Sequence, residues 1–274
     1  MKPIHRILLT GAAGALGRQM RPALRRHCTH LRVTDIAPLD PPEADAADRE
    51  EVVQADLADP APVRDLTRDV DAVVHLAGKG MEAPFQEILR GHMLGLYNVF
   101  EGARQNGVRR VIWASSIHAV GYYPFSQVLD TRTPPRPDTN YGVAKAYGEG
   151  LAQYYWDKYG IEAVSMRICS CFPEPRDRRM LSTWLSYADL ERLIGAALTC
   201  TRPDHSIIYG VSANTHAPYD NRTAAHIGFR PQDNAELYRE AVEAANPPYG
   251  PGAPEIATHG GAFATFGHFD DGDD

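Results

Sequence analysis

The chain has only four cysteines among its 274 residues. Cys28, Cys169, Cys171 and Cys200 show none of the CxxC pairing of a redox or zinc motif, so reduced structural thiols are expected and no metal site is. Long apolar runs are missing too. None approaches the roughly 20 residues of a membrane span, and the opening Met-Lys-Pro-Ile-His-Arg leads into a strand rather than a signal-peptide core, so a cytoplasmic protein without a membrane partner is expected. Acid outweighs base, with 35 Asp and Glu against 28 Lys and Arg. The net charge is -7, acid gathers between Pro41 and Glu51 and in the tail Asp270-Asp271-Gly-Asp273-Asp274, and nothing basic and extended invites nucleic acid. The tail is expected to be a solvated end, and the chain carries no internal repeat.

Alternation of short apolar runs with helical patterns fills the first two-thirds. Ile7–Thr10, Leu31–Asp35, Val52–Ala55, Ala72–Ala77, Val111–Ala114 and Ala163–Ile168 read as strands. Leu16–His27, Pro60–Thr67, Phe85–Asn106 and Tyr141–Tyr159 read as the helices between them. Such alternation predicts an α/β fold, a Rossmann-like doubly wound parallel sheet covered on both faces. The Pro-, Ala- and Asp-rich stretch from Ile36 to Asp48 reads as a surface loop. After Ile168 prolines punctuate shorter elements, with helices at Tyr187–Thr199 and Asn234–Ala245 and a late strand at Ser206–Tyr209. One compact unit is expected: residues 1–168 as a dinucleotide-binding core that includes the Tyr141–Lys145 helix, and 169–274 as a small C-terminal substrate cap, late core elements and the acidic tail.

Two motifs carry chemistry. Thr10-Gly11-Ala-Ala13-Gly14-Ala15-Leu16-Gly17 follows the first strand and opens the first helix. Glycines there permit a tight turn, close approach of the backbone to a pyrophosphate and close helix packing, while the helix N-terminus supplies N–H groups. Asp35 ends the second strand, where a carboxylate accepts the ribose hydroxyls of NAD and repels the extra phosphate of NADP. Asp56 and Leu57 after the third strand, and Leu76, Ala77 and Gly78 after the fourth, stand where the adenosine would lie. The lesser alternative for Asp35 is a strand-end turn cap, the two later strand ends would be uninformative alone, and Asp59 reads equally as a cap of the next helix.

Tyr141-Gly-Val-Ala-Lys145 sets a phenol and an ammonium at i and i+4 on one helix face. A nearby ammonium stabilises a phenolate, making a base usable near neutral pH. Ser115-Ser116-Ile117-His118 leaves the fifth strand at the same sheet edge, where a serine hydroxyl can hold the reacting oxygen. Either serine could simply cap a turn, and His118 could be a packed loop histidine. Taken together the motifs describe an NAD-dependent redox enzyme.

Over roughly the first 170 residues the chain resembles the extended short-chain dehydrogenase/reductase superfamily. The segments Ser115–Pro124, Tyr141–Lys145, Arg167-Ile168-Cys169-Ser170, Pro173-Glu-Pro175, Arg179–Trp184, Ser212-Ala-Asn214 and Asp220-Asn221 are similar to the uronate dehydrogenases. That resemblance implies oxidation of a hexuronate at its anomeric carbon to an aldarolactone. It implies Tyr141, Lys145 and Ser116 as catalytic residues, Ser115 and Ile168 as further cofactor neighbours, and a homo-oligomer. In the substrate pocket it places Ser116, Ile117, His118, Tyr141, Ser170 and Arg179, with the arginine gripping the sugar carboxylate.

Two departures from that pattern matter. Ile117 stands in place of an asparagine, and Lys79-Gly80 in place of an isoleucine-serine pair, so an amide and a hydroxyl are missing. Lys79 is a candidate substitute contact, and Ile117→Asn is expected to improve activity on standard hexuronates. Two other function classes share the motifs. A nucleotide-sugar epimerase or dehydratase is opposed by the 129 residues left after Lys145, few for a nucleotide pocket. An NAD-sensing binding protein is opposed by an intact Ser116, Tyr141 and Lys145.

Overall fold

A computed structural model describes residues 4–267, so the acidic tail read at Asp270–Asp274 lies outside the described residues. Seven strands make one parallel sheet: β1 (Arg6–Thr10), β2 (His30–Asp35), β3 (Glu50–Gln54), β4 (Ala72–His75), β5 (Arg110–Ser116), β6 (Glu162–Ile168) and β7 (His205–Gly210). Their spatial order is β7-β6-β5-β4-β1-β2-β3. Chain direction across the sheet reverses between β1 and β4, which opens a crevice at their carboxyl ends.

The sheet is double-faced because β1 alternates within an apolar run. Ile7 and Leu9 enter one cluster with Met20 and Leu24 of α1 (Ala15–Leu24). Leu8 enters the opposite cluster with Val63 and Leu66 of α2 (Pro60–Leu66) and Val99 and Phe100 of α3 (Gly95–Asn106). Tyr155 of α4 (Asn140–Tyr159) joins the second cluster, and Leu190 and Leu193 of α5 (Tyr187–Thr199) join the first. Each helix buries one stripe against the strands.

The helix expected over Phe85–Asn106 is interrupted. A turn at Phe85–Ile88 passes into a π-helix at Leu89–Leu94 before α3 begins. The wider turn carries a buried His92. Such π segments concentrate at functional sites. The stretch Ile36–Asp48 is irregular apart from a 3-10 turn at Ala44–Ala46.

Outside the main sheet the chain builds two small parallel ladders. Ser170–Cys171 pairs with Trp184–Leu185, and Leu129–Asp130 with Tyr219–Asp220. The late strand and α5 belong to the main core, β7 pairing with β6 along its whole length. Close to the C-terminus, Thr258 bridges Pro124. The amide of His259 donates to Tyr123 O at 3.0 Å and that of Gly260 to Gly121 O at 2.9 Å. That segment is thereby held beside the loop that follows β5.

Candidate active site

A cleft of about 390 Å³ lies over the carboxyl ends of β1, β2 and β4, lined by Gly11, Ala13, Gly14, Asp35, Asp56, Leu57, Leu76, Ala77, Gly78 and Lys79. Those residues are ones the sequence marks for the dinucleotide or its surroundings. Gly11 takes φ +76°, and a Cβ there would meet Ala77 N at 2.5 Å. A Cβ on Gly17 would stand 2.0 Å from Gly11 O. Both positions therefore need glycine on steric grounds alone. Among the described residues no side chain caps the N-terminus of α1, whose N-cap is Gly14, and its first turn holds no acid. Ala15 and Leu16 thus begin a helix whose free N–H groups suit a pyrophosphate.

Asp35 is held at the mouth of this turn. One carboxylate oxygen accepts from Ala13 N at 2.9 Å and the other from Ala37 N at 3.0 Å. Asp56 is fixed in the same manner by Ala58 N at 2.8 Å, and Arg90 donates to its other oxygen at 2.6 Å. The backbone donor and the guanidinium hold its carboxyl below the usual range. The chain thus offers a turn without side chains, open helix amides and a carboxylate at the ribose position, which fits NAD.

Tyr141 and Lys145 stand on the first turns of α4, with Lys145 Nζ 5.0 Å from the centre of the phenol ring. The ammonium donates to Ala114 O at 2.6 Å. Ser116 Oγ accepts from the His118 amide at 3.2 Å and so caps the 3-10 turn at Ile117–Val120, and its hydroxyl lies near enough to the Tyr141 phenol to pull its pKa down. Burial pushes the phenol up to about 12 and Lys145 down to about 7. Desolvation favours the neutral form of each, so it offsets the mutual stabilisation expected from spacing alone. Lys145 is left able to change charge near neutral pH.

A buried network fixes the height of α4 on the sheet. Glu149, one turn after Lys145, accepts from Ser115 Oγ at 2.8 Å and from Arg167 Nε and Nη2, each at 2.8 Å. Ser115 therefore turns its hydroxyl toward the network, while its neighbour Ser116 faces Tyr141. Ile168 lies beside Ser116 in register across β5 and β6.

Ser170 Oγ is 3.0 Å from Thr183 Oγ1. Arg179, at the N-terminus of the short helix Met180–Thr183, donates from Nη2 to His259 O and lies over the Phe125 ring at 5.7 Å. Its Nε is buried with no hydrogen-bond partner among the described residues.

The family model for the NAD dependent epimerase/dehydratase family matches residues 7–202. The uronate dehydrogenase of Pseudomonas putida is 46% identical over 267 residues, which cover 97% of this chain and 98% of that one. The chain belongs to this family, among its uronate dehydrogenases. Glucuronic acid dehydrogenase of Chromohalobacter salexigens superimposes with TM-score 0.94 at 42% identity, covering 98% of this chain and 99% of the other. A tyrosine-to-alanine mutant of Agrobacterium tumefaciens uronate dehydrogenase complexed with NAD gives 0.93 at 42% identity, covering 97% and 99%.

Within this family member two sequence expectations change. Ile117 is 4% exposed and packs in an apolar cluster with Val120, Leu129, Tyr209 and Val211. It is a packing residue, because the 3-10 turn at Ile117–Val120 rotates its side chain inward. An asparagine there would bury an amide in that cluster, so Ile117→Asn no longer predicts improvement. Lys79 pairs with Glu87 at 3.2 Å, both largely exposed, and lines the cleft over β1, β2 and β4.

Three site residues escape sequence reading. Glu82, 5% exposed, accepts from the amides of Asn140 and Tyr141 at 3.0 and 2.7 Å and so caps α4. His92 meets the Tyr141 ring edge-on at 5.2 Å and binds Lys79 O at 2.9 Å. His259 is fully buried, between Gln127 O at 2.9 Å and the Tyr219 hydroxyl at 3.1 Å.

Burial pushes His75 and His92 down to about 3 and His259 to about 4. Below their ordinary value near 6.5 the unfolded chain takes up protons that the folded one refuses. Stability is therefore full above pH 6.5 and declines as pH falls toward 4. The thermal midpoint is expected to be lower at pH 5 than at pH 7.5, and equal midpoints would contradict it.

Proposed function

We propose that the protein oxidises a hexuronate at its anomeric carbon with NAD, giving an aldarolactone. The observation that carries this reading is the half-buried Arg179, whose Nε is buried without a partner among the described residues, in a chain that also sets Ser116 near Tyr141. A planar guanidinium with a donor free suits a carboxylate.

Tyr141 accepts the proton of the C1 hydroxyl. Ser116 donates to the same oxygen and fixes its position, while Lys145 holds the helix edge through Ala114 and meets the charge that develops on the phenol. NAD, when bound in the cleft, supplies the acceptor for the C1 hydrogen and its electron pair. Loss of a proton and a hydride from the cyclic hemiacetal leaves the lactone. Ser170 and His118 are read as further sugar contacts, with residues after 168 supplying most of that pocket. A cytoplasmic homo-oligomer is the form we expect, its four free thiols suiting a reducing compartment.

NADH formation from galacturonate and glucuronate, against neutral aldoses, tests the reading. Preference for neutral sugars, or no turnover of either uronate, would overturn it. NAD should be used in preference to NADP, and Asp35→Ala should shrink the ratio of kcat/KM values by about tenfold or more, since one carboxylate near a phosphate is worth at least ~1.4 kcal/mol. Equal efficiency of wild type with both cofactors would remove Asp35 from that role.

A further inference from the structure

Asp138, two residues before α4, is absent from the motifs read in the sequence, yet its side chain has 0% exposure. A buried carboxylate needs partners, and this one has them. Its Oδ2 accepts from His118 Nδ1 at 2.8 Å, and its Oδ1 from Thr139 Oγ1 at 3.0 Å.

Its surroundings leave little room for movement. A Cβ on Gly121 would stand 1.9 Å from Asp138 Oδ2, and one on Gly260 1.7 Å from it. On Gly142 it would lie 3.0 Å from Oδ1. None of the three has the positive φ that would by itself demand glycine. At Gly121 and Gly260 the requirement is space for the carboxylate, and at Gly142 it is space first for His118 O, 2.4 Å from such a Cβ, and then for the carboxylate. They come from the loop after β5, from α4 itself and from the C-terminal segment, so Asp138 is the joint at which these parts meet.

What the joint holds is His118. Its ring stacks on Phe263 at 4.3 Å and meets the Tyr141 ring edge-on at 5.6 Å. The side chain keeps 13% exposure against none for Asp138, so the accessible part of the pair is the imidazole. A carboxylate only accepts, which puts a proton on Nδ1, and in the neutral ring that tautomer leaves the lone pair on Nε2.

We propose that Asp138 is a positioning residue that holds His118 in the Nδ1–H form beside Tyr141, so that Nε2 accepts a hydrogen bond from a sugar hydroxyl neighbouring the reacting one. The inference rests on the uronate oxidation proposed above. Asp138 touches neither sugar nor cofactor and acts through His118.

A double-mutant cycle on kcat/KM for galacturonate, with D138A, H118Q and the pair, tests the coupling. D138A should lose about 10- to 100-fold, by analogy with removing the partner that orients a metal-bound histidine. The KM for NAD should stay unchanged, and D138N, which keeps an acceptor oxygen, should recover part of the loss. In the H118Q background D138A should add nothing further. Additive losses, or a D138A enzyme as active as wild type, would overturn the proposal.

Nitrogen-15 spectra of the histidine side chains, taken without substrate and with His118 identified by its loss in H118Q, give a second readout. Wild type and D138N should show Nδ1 protonated and Nε2 bare, and an Nε2–H form in wild type would overturn the proposal even if D138A fails to fold. If wild type turns over no uronate, the functional reading fails by itself and the spectra still decide the tautomer.

Discussion

Tyr141→Phe is expected to lower kcat by about 10²- to 10⁴-fold, the range typical for loss of a general base. The substitution removes one oxygen from a ring that is only 8% exposed and keeps its edge contacts with His92 and His118. NAD affinity, read by quenching of protein fluorescence, should remain within a few-fold, because the cleft of Gly11, Asp35 and Ala77 is untouched. Turnover near that of wild type would remove the phenol from the mechanism.

The same prediction exposes a tension that spacing could not resolve. The i, i+4 spacing of Tyr141 and Lys145 places their groups together, and the structure agrees with that placement. Spacing says nothing of burial, which drives the phenol up and the ammonium down. Lys145→Met is therefore expected to harm rate as well as cofactor binding.

Local signals were the legible ones. The β1-turn-α1 unit could be read because its glycines, strand and helix lie within 20 residues, and the structure gives steric reasons for Gly11 and Gly17. The parallel sheet covered on both faces followed from the alternation of strands with helices. Long-range partners stayed hidden. Glu82 caps a helix that starts 58 residues later, with no capping residue pattern to mark the pair. Asp138 gains its meaning from Gly260, more than a hundred positions away. His92 looked like one residue of a continuous helix, because a π turn breaks the 3.6-residue period that pattern reading assumes. Ile117 was assigned by position in a motif, whereas its direction depends on the 3-10 turn that follows β5.

Arg179 offers the sharpest test of substrate class. Standing in the run Arg176-Asp-Arg-Arg179, it reads without family resemblance as part of a solvated basic turn, but the fold withdraws it. Its guanidinium is held against His259 O, and a Cβ on Gly261 would come within 3.0 Å of Nε. Cys169 and Tyr219, raised by burial, both feel its charge. Arg179→Lys should raise KM for a uronate markedly, since a point charge cannot reproduce a planar two-donor clamp. Arg179→Ala should cost about 2–5 kcal/mol in kcat/KM if the ion pair is desolvated. Loss of the bond to His259 O would also loosen the segment that carries Phe263, so a fall in activity alone does not isolate the clamp. A neutral aldose turned over by the same enzyme separates the two effects. Loss confined to uronates assigns the guanidinium to the carboxylate, equal loss on both sugars assigns it to holding the C-terminal segment, and unchanged uronate kinetics would remove Arg179 from substrate recognition altogether.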